Sequence, residues 1–219
     1  MKTFKVLSAL LAYPEPDLLA HMDELVEVLS GEMLLPAAEH QVLLRFMGNL
    51  ARLDPLDAQE RYVSLFDRNR SLSLHLYEHI HGESRERGQA MVELGALYRL
   101  HGVEISAAEL PDYLPLLLEF LSMLPIKAAA SLLGEAVHVV AALREKLALR
   151  DSPYAAVLAA VETLSATPAE RAAVEEVLAM LTLEADGLEA LDRQWEEEAV
   201  RFTAAGGPDT AAHAASCAG

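Results

Sequence analysis

Apolar residues recur at three- and four-residue spacings along most of this chain, and that period, more than any other feature, dictates helices. Leu132, Ala136, Val140, Leu143 and Leu147 form one such stripe; Met91, Leu94 and Tyr98 form another. Each is a face that must be buried against a neighbouring element. Three prolines follow residues whose side chains accept hydrogen bonds from a first helical turn: Asp54-Pro55, Ser152-Pro153 and Thr167-Pro168. Glu170, three residues after Thr167, completes the pattern of a capping box. These signals predict helices at about Thr3 to Tyr13, Pro16 to Ser30, Leu35 to Leu53, Pro55 to Phe66, Ser84 to His101, Tyr113 to Leu124, Ile126 to Arg150, Pro153 to Ser165, Pro168 to Ala185 and Leu188 to Phe202. Leu72, Leu74 and Leu76 alternate with polar residues, but a lone strand has no partner, so the stretch reads as helix or irregular backbone. The fold class expected is all-α, a single-domain bundle of about nine to ten helices.

No Pro/Gly/Ser-rich linker interrupts the middle of the 219 residues, so one core is expected over residues 1–202, followed by a disordered Ala/Gly-rich tail over 203–219. Aromatic residues make up 5% of the chain against 53% hydrophobic, so that core is built from Leu, Ala and Val. Leu188, Leu191, Trp195, Ala199 and Phe202 line up as a further stripe for it. Seventeen basic against thirty-four acidic residues give a formal net charge of -17, which repels nucleic acid and anionic lipid and favours basic partners. Lys5 and Pro14 disqualify the first thirteen residues as a secretory signal. The run from Tyr113 to Ile126 is too short, and too interrupted, to span a bilayer. A single cysteine, Cys217, suits a reducing cytosol.

Phosphate-binding glycine loops, a serine-nucleophile elbow and paired C-x-x-C are all absent from the sequence. Chemistry concentrates instead between Glu60 and Gln89, where five arginines, five acids and His75, His79 and His81 fall together. His75-Leu76-Tyr77-Glu78-His79 matches H-x-x-E-H, in which two histidines bind zinc and the glutamate serves as base. A zinc-dependent hydrolase is therefore the enzymatic alternative, but it lacks a distinguishable third ligand; a hydrogen-bonded histidine cluster is the simpler reading. His81 before Gly82 equally suits a helix end. A second constellation is Leu110-Pro111-Asp112-Tyr113-Leu114-Pro115, in which Asp112 can cap the following apolar helix and Glu119 stands amid apolar residues.

Taken together, Tyr62-Val63-Ser64-Leu65-Phe66-Asp67-Arg68, Ser71 to Glu83, Arg85 with Gly88-Gln89-Ala90-Met91, Leu110 to Pro115 with Glu119-Phe120, and Trp195-Glu196-Glu197-Glu198 resemble the nitrate reductase delta-type assembly chaperones. These are the NarJ branch of the TorD-like redox-enzyme maturation chaperones, and the likeness runs from about Phe4 to Phe202. The resemblance implies a cytoplasmic, all-helical chaperone that is not an enzyme and holds no cofactor of its own. It implies binding of the N-terminal segment of the respiratory nitrate reductase alpha subunit, keeping the apoenzyme open to molybdenum cofactor insertion before membrane docking. Its implied partners are that subunit, as peptide and as apoenzyme, and molybdenum cofactor biosynthesis proteins, with no nucleic acid and no membrane insertion. Where some relatives have histidine this chain has Tyr113, so a titrating group there does not carry over.

From the family's peptide-recognition elements, Tyr62, Phe66, Asp112 and Tyr113 are expected to contact the peptide. Arg70, His75, Glu78, His79, Leu116, Glu119 and Phe120 complete the expected peptide-binding set. A groove between the Tyr62 to Phe66 segment and the Asp112 to Phe120 helix would pair an apolar floor with acidic rim groups, Asp112 and Glu119, suited to a basic amphipathic peptide.

Overall fold

The computed structural model describes residues 1–81, 84–105 and 109–182. Ten α-helices are named in it: α1 (Lys2–Leu11), α2 (Pro16–Ala20), α3 (Met22–Glu32), α4 (Ala37–Leu50), α5 (Pro55–Tyr62), α6 (Leu76–His81), α7 (Arg85–Leu100), α8 (Leu114–Met123), α9 (Ile126–Ala148) and α10 (Ala155–Thr163). Residues 171–182 form a further helix, α11. Among the described residues there is no strand, only an isolated bridge, so the fold is all-α as the periodicity implies. The terminal stripe from Leu188 to Phe202, the tail over 203–219 and Gly82 lie outside the described residues.

One apolar core joins the elements. Phe4, Leu7 and Leu11 of α1 and Leu114, Leu118 and Leu121 of α8 are buried in it; α1 and α8 form the most extensive helix pair, while α10 packs on both α4 and α9. Ser8, buried in the first of these contacts, donates to the Pro115 carbonyl at 2.6 Å. That bond satisfies a hydroxyl which would otherwise cost on the order of 1–3 kcal/mol to bury. α1 has no cap of its own. Glu32, at the end of α3, accepts from the Lys2 and Thr3 backbone N–H groups and from the Thr3 hydroxyl, at 3.1, 2.6 and 2.6 Å. A carboxylate thirty residues away thus meets the orphan donors of the first turn.

The local signals succeed and fail for identifiable reasons. Asp54 caps α5, accepting from Leu56 N–H at 2.9 Å. The expected capping box at Thr167 does not form; the helix starts at residue 171, three positions later. Thr167 lies instead against Gly134 of α9, and the neighbouring Ala166 N–H donates to the Ala130 carbonyl at 2.9 Å. Ser152 does not cap either, since α10 begins at Ala155. His21 breaks the expected Pro16 to Ser30 helix into α2 and α3. The expected Pro55 to Phe66 helix changes character at Tyr62: residues Val63–Asp67 form a π-helical turn, closed by Arg68 N–H donating to the Val63 carbonyl at 3.0 Å. Such turns insert one residue into a helix and recur at functional sites.

By length and composition α9 could cross a membrane, with a mean hydropathy of 1.5 over its most apolar window, whereas the helix within the Tyr113 to Ile126 run has only 10 residues. Half of that window is buried inside the bundle against α6, α8 and α10.

The glycines of two helices give opposite expectations. Gly88 is exposed in α7 with open space where a Cβ would stand, so Gly88→Ala is expected to stabilise by up to about 1 kcal/mol through helix propensity. A Cβ on Gly134 would meet Thr167 Oγ1 at 2.7 Å, so Gly134→Ala is expected to cost about 1–2 kcal/mol despite the same propensity gain. Denaturant midpoints of the two variants should move in opposite directions.

Candidate functional site

The site is built where two distant segments meet. After the 3-10 turn Arg70–Leu72, the chain runs extended through His75 and pairs with Tyr113 in an antiparallel bridge. Leu114 N–H donates to the Leu74 carbonyl at 2.8 Å and Leu76 N–H to the Asp112 carbonyl at 3.1 Å. The alternating Leu72, Leu74 and Leu76 are all buried, so the stretch that lacks a strand partner in the sequence finds a short extended one just ahead of α8.

Asp112 sits in this seam at 0% exposure. Its expected place at the start of α8 is not realised: Tyr113 precedes that helix with no side-chain cap. The carboxylate turns back on α6, accepting from Tyr77 N–H at 3.0 Å and from His75 Nδ1–H at 3.3 Å. It caps the first turn of α6 and pairs with the imidazole, so it is a buried anchor and not an exposed rim charge. The hydrogen bond to Asp112 holds the His75 pKa above its usual value, against the opposing effect of burial.

Tyr62 and Tyr113 meet directly, hydroxyl to hydroxyl, at 3.1 Å. Tyr62 donates onward to the Leu11 carbonyl at 2.8 Å, linking α5 to α1 and α8. Burial pushes both phenols up, so neither ionises near neutrality and both act only as hydrogen-bonding groups. Phe66, on the π turn, packs against Tyr62 and Tyr154 at centroid separations of 4.9 and 5.2 Å. Tyr113 stacks near His75 at 5.2 Å.

The zinc motif is pulled apart by its neighbours. His75 turns to Asp112, Glu78 pairs with Arg70 at 2.8 Å, and His79 Nε2–H donates to the Ser73 carbonyl at 2.7 Å in a buried position. Among the described residues no group of three or more His, Cys, Asp or Glu side chains converges as a metal site would require. His75, Glu78 and His79 form the polar scaffold of α6.

Leu116, Glu119 and Phe120 belong to a second cluster further along α8. They line an apolar cleft of about 260 Å³ with Tyr98, Val103, Glu104, Ile105 and Met123. Phe120 is its buried floor, against Tyr98 at 4.5 Å, while Glu119 is half exposed beside Lys5 at 3.5 Å. Val103, Ile105 and Glu104 are absent from the sequence-derived set. Their signal was Val103 and Ile105 alternating directly after Gly102, whose φ of 75° ends α7. The expected residues thus divide between a closed seam (Tyr62, Phe66, Arg70, His75, Glu78, His79, Asp112, Tyr113) and an open, acid-edged cleft (Leu116, Glu119, Phe120). Tyr113 and Phe120 are seven residues apart, about 10 Å along the helix.

The described residues form a helical bundle with buried phenols, a histidine paired with a buried carboxylate and an open apolar cleft. Comparison with known proteins gives the family. Residues 32–160 match the nitrate reductase delta subunit family. The nitrate reductase molybdenum cofactor assembly chaperone NarJ of Escherichia coli strain K12 is 42% identical over 199 residues, covering 91% of this chain and 84% of its own. The probable chaperone NarW of the same strain is 37% identical over 203 residues, covering 92% and 84%. The probable NarJ of Bacillus subtilis strain 168 is 32% identical over 180 residues, covering 79% and 95%. The chain belongs to the nitrate reductase delta subunit family, and to its NarJ-type assembly chaperones rather than to the enzymes.

Proposed function

We propose that this chain is the cytoplasmic chaperone of a respiratory nitrate reductase, binding the N-terminal segment of the catalytic alpha subunit and holding the apoenzyme open for molybdenum cofactor insertion before membrane docking. Molybdenum cofactor biosynthesis proteins are its further partners. The observation that carries the reading is the cleft on α8: an apolar floor of Leu116, Phe120, Ile105 and Met123 edged by Glu104 and Glu119, in a chain of net charge -17. A basic amphipathic helix would insert an apolar side chain there and set its cations against the two carboxylates. In this reading the seam of Tyr62, Tyr113, His75 and Asp112 positions α8, and the cleft makes the contact.

The test is capture of the native protein from nitrate-respiring cells and identification of what comes with it by mass spectrometry. The alpha subunit in stoichiometric amount is expected. Recovery of another polypeptide in its place would overturn the assignment.

A further inference from the structure

A second apolar opening shares no lining residue with the α8 cleft. The end of α4, α5 and the turn before α10 enclose about 400 Å³, with Phe46, Leu50, Leu53 and Tyr154 in its lining. That volume falls in the range of pockets that take small molecules. Its charged lining residues are Arg52 and Arg61, both exposed, and among the described residues neither forms an ion pair. Arg52 donates from Nη2 to the Asn49 side chain at 2.6 Å, which fixes one edge of the guanidinium.

The last turn of a helix favours a cation, and that alone accounts for arginines beside the ends of α4 and α5. It does not account for Tyr154. This residue is 4% exposed and carries a buried hydroxyl with no hydrogen-bond partner among the described residues, where buried polar groups as a rule have one. Its ring is held edge-on by Phe46 and Phe66 at 5.0 and 5.2 Å. Burial pushes the phenol up, so at neutral pH it stays protonated and able to donate. The cleft thus combines apolar walls, an idle hydrogen-bonding group and two guanidinium groups.

Guanidinium groups suit carboxylate and phosphate oxygens, and the walls suit a ring or an aliphatic body. A net charge of -17 repels an acidic polypeptide at many points of the surface, whereas a small anion meets chiefly the two arginines beside it. We propose that this cleft binds a small amphiphilic oxyanion, its apolar body against Phe46 and Leu50, its carboxylate or phosphate against Arg52 and Arg61, and a polar group answering the Tyr154 hydroxyl. The proposal is independent of the peptide-binding reading, which concerns the other cleft.

The test is calorimetric titration of the full-length protein with three probes: hydroxynaphthoate, naphthyl phosphate and neutral naphthol. At least one of the two anions should bind saturably, one per chain, and the tighter of them identifies the anionic group. Naphthol should bind about tenfold more weakly or worse. Arg52→Gln with Arg61→Gln should lower the anion's affinity about tenfold and leave naphthol unaffected, at unchanged far-UV circular dichroism, since both positions are exposed. Tyr154→Phe should lower hydroxynaphthoate affinity about fivefold without lowering the thermal midpoint. Saturable binding of neither anion would overturn the proposal and leave the cleft to an acidic partner chain. Naphthol binding as tightly as the anions, or an arginine double variant binding them as wild type does, would overturn it by placing the probe elsewhere. A Tyr154→Phe variant that loses thermal stability and keeps full affinity would overturn it too, by assigning the hydroxyl to the fold.

Discussion

Asp112→Ala is expected to destabilise the chain by about 3 kcal/mol, because it removes a buried carboxylate that answers two donors at once. Tyr77 N–H would be left without its acceptor at the start of α6, and His75 would lose its partner. Asp112→Asn keeps an oxygen for Tyr77 N–H and should cost less, about 1 kcal/mol. The two also differ in pH dependence. The His75 pKa is raised in the folded state, so the stability its pair contributes is complete below the unfolded value of 6.5. That contribution is lost as pH rises through the raised folded value. The advantage of wild type over Asp112→Asn should therefore shrink as pH rises from about 6 into the alkaline side of neutrality. Urea unfolding of both proteins across that range measures it; an advantage that grows with pH would contradict the pairing.

Phe66→Ala is expected to cost about 3–5 kcal/mol, the range for emptying a buried aromatic site. Its ring is 6% exposed and wedged between Tyr62 and Tyr154, on the turn that redirects the chain toward the seam. Phe66→Leu, which refills most of the volume, should cost under about 1.5 kcal/mol. Thermal unfolding compares them. If Phe66 served the client directly and not through the fold, the alanine variant would be nearly as stable as wild type.

The helices were legible because their causes are local. Apolar period marks the stripes of α7 and α9, and Asp54-Pro55 marks the start of α5 by a cap formed within two residues. What the sequence hides depends on partners far along the chain. Glu32 caps α1 from the end of α3, and Asp112 caps α6 although it stands next to α8. Thr167 is drawn from its capping box toward Gly134, and the extended Leu74 finds Leu114 forty residues on. The π turn at Val63–Asp67 carries no signal of its own, since its residues continue the helical period of α5. The candidate site shows the same split. The motif residues Tyr62, His75, Asp112 and Tyr113 do come together, but the open surface beside them uses Glu104 and Ile105, which the eye passes over in a connection between helices.

The most direct test of the account is calorimetric titration of the folded protein with a synthetic peptide of the alpha subunit's N-terminal segment, at two salt concentrations. Wild type should bind, more weakly at high salt, because Glu104 and Glu119 act through screened attraction. Glu104→Gln with Glu119→Gln should bind less tightly at low salt and lose most of that salt dependence. Leu116→Ala should lower affinity about tenfold with the salt dependence retained, as expected for an apolar contact in the centre of an interface. A wild-type protein that ignores the peptide, or variants that remain folded and bind it as wild type does, would contradict the assignment of the α8 cleft.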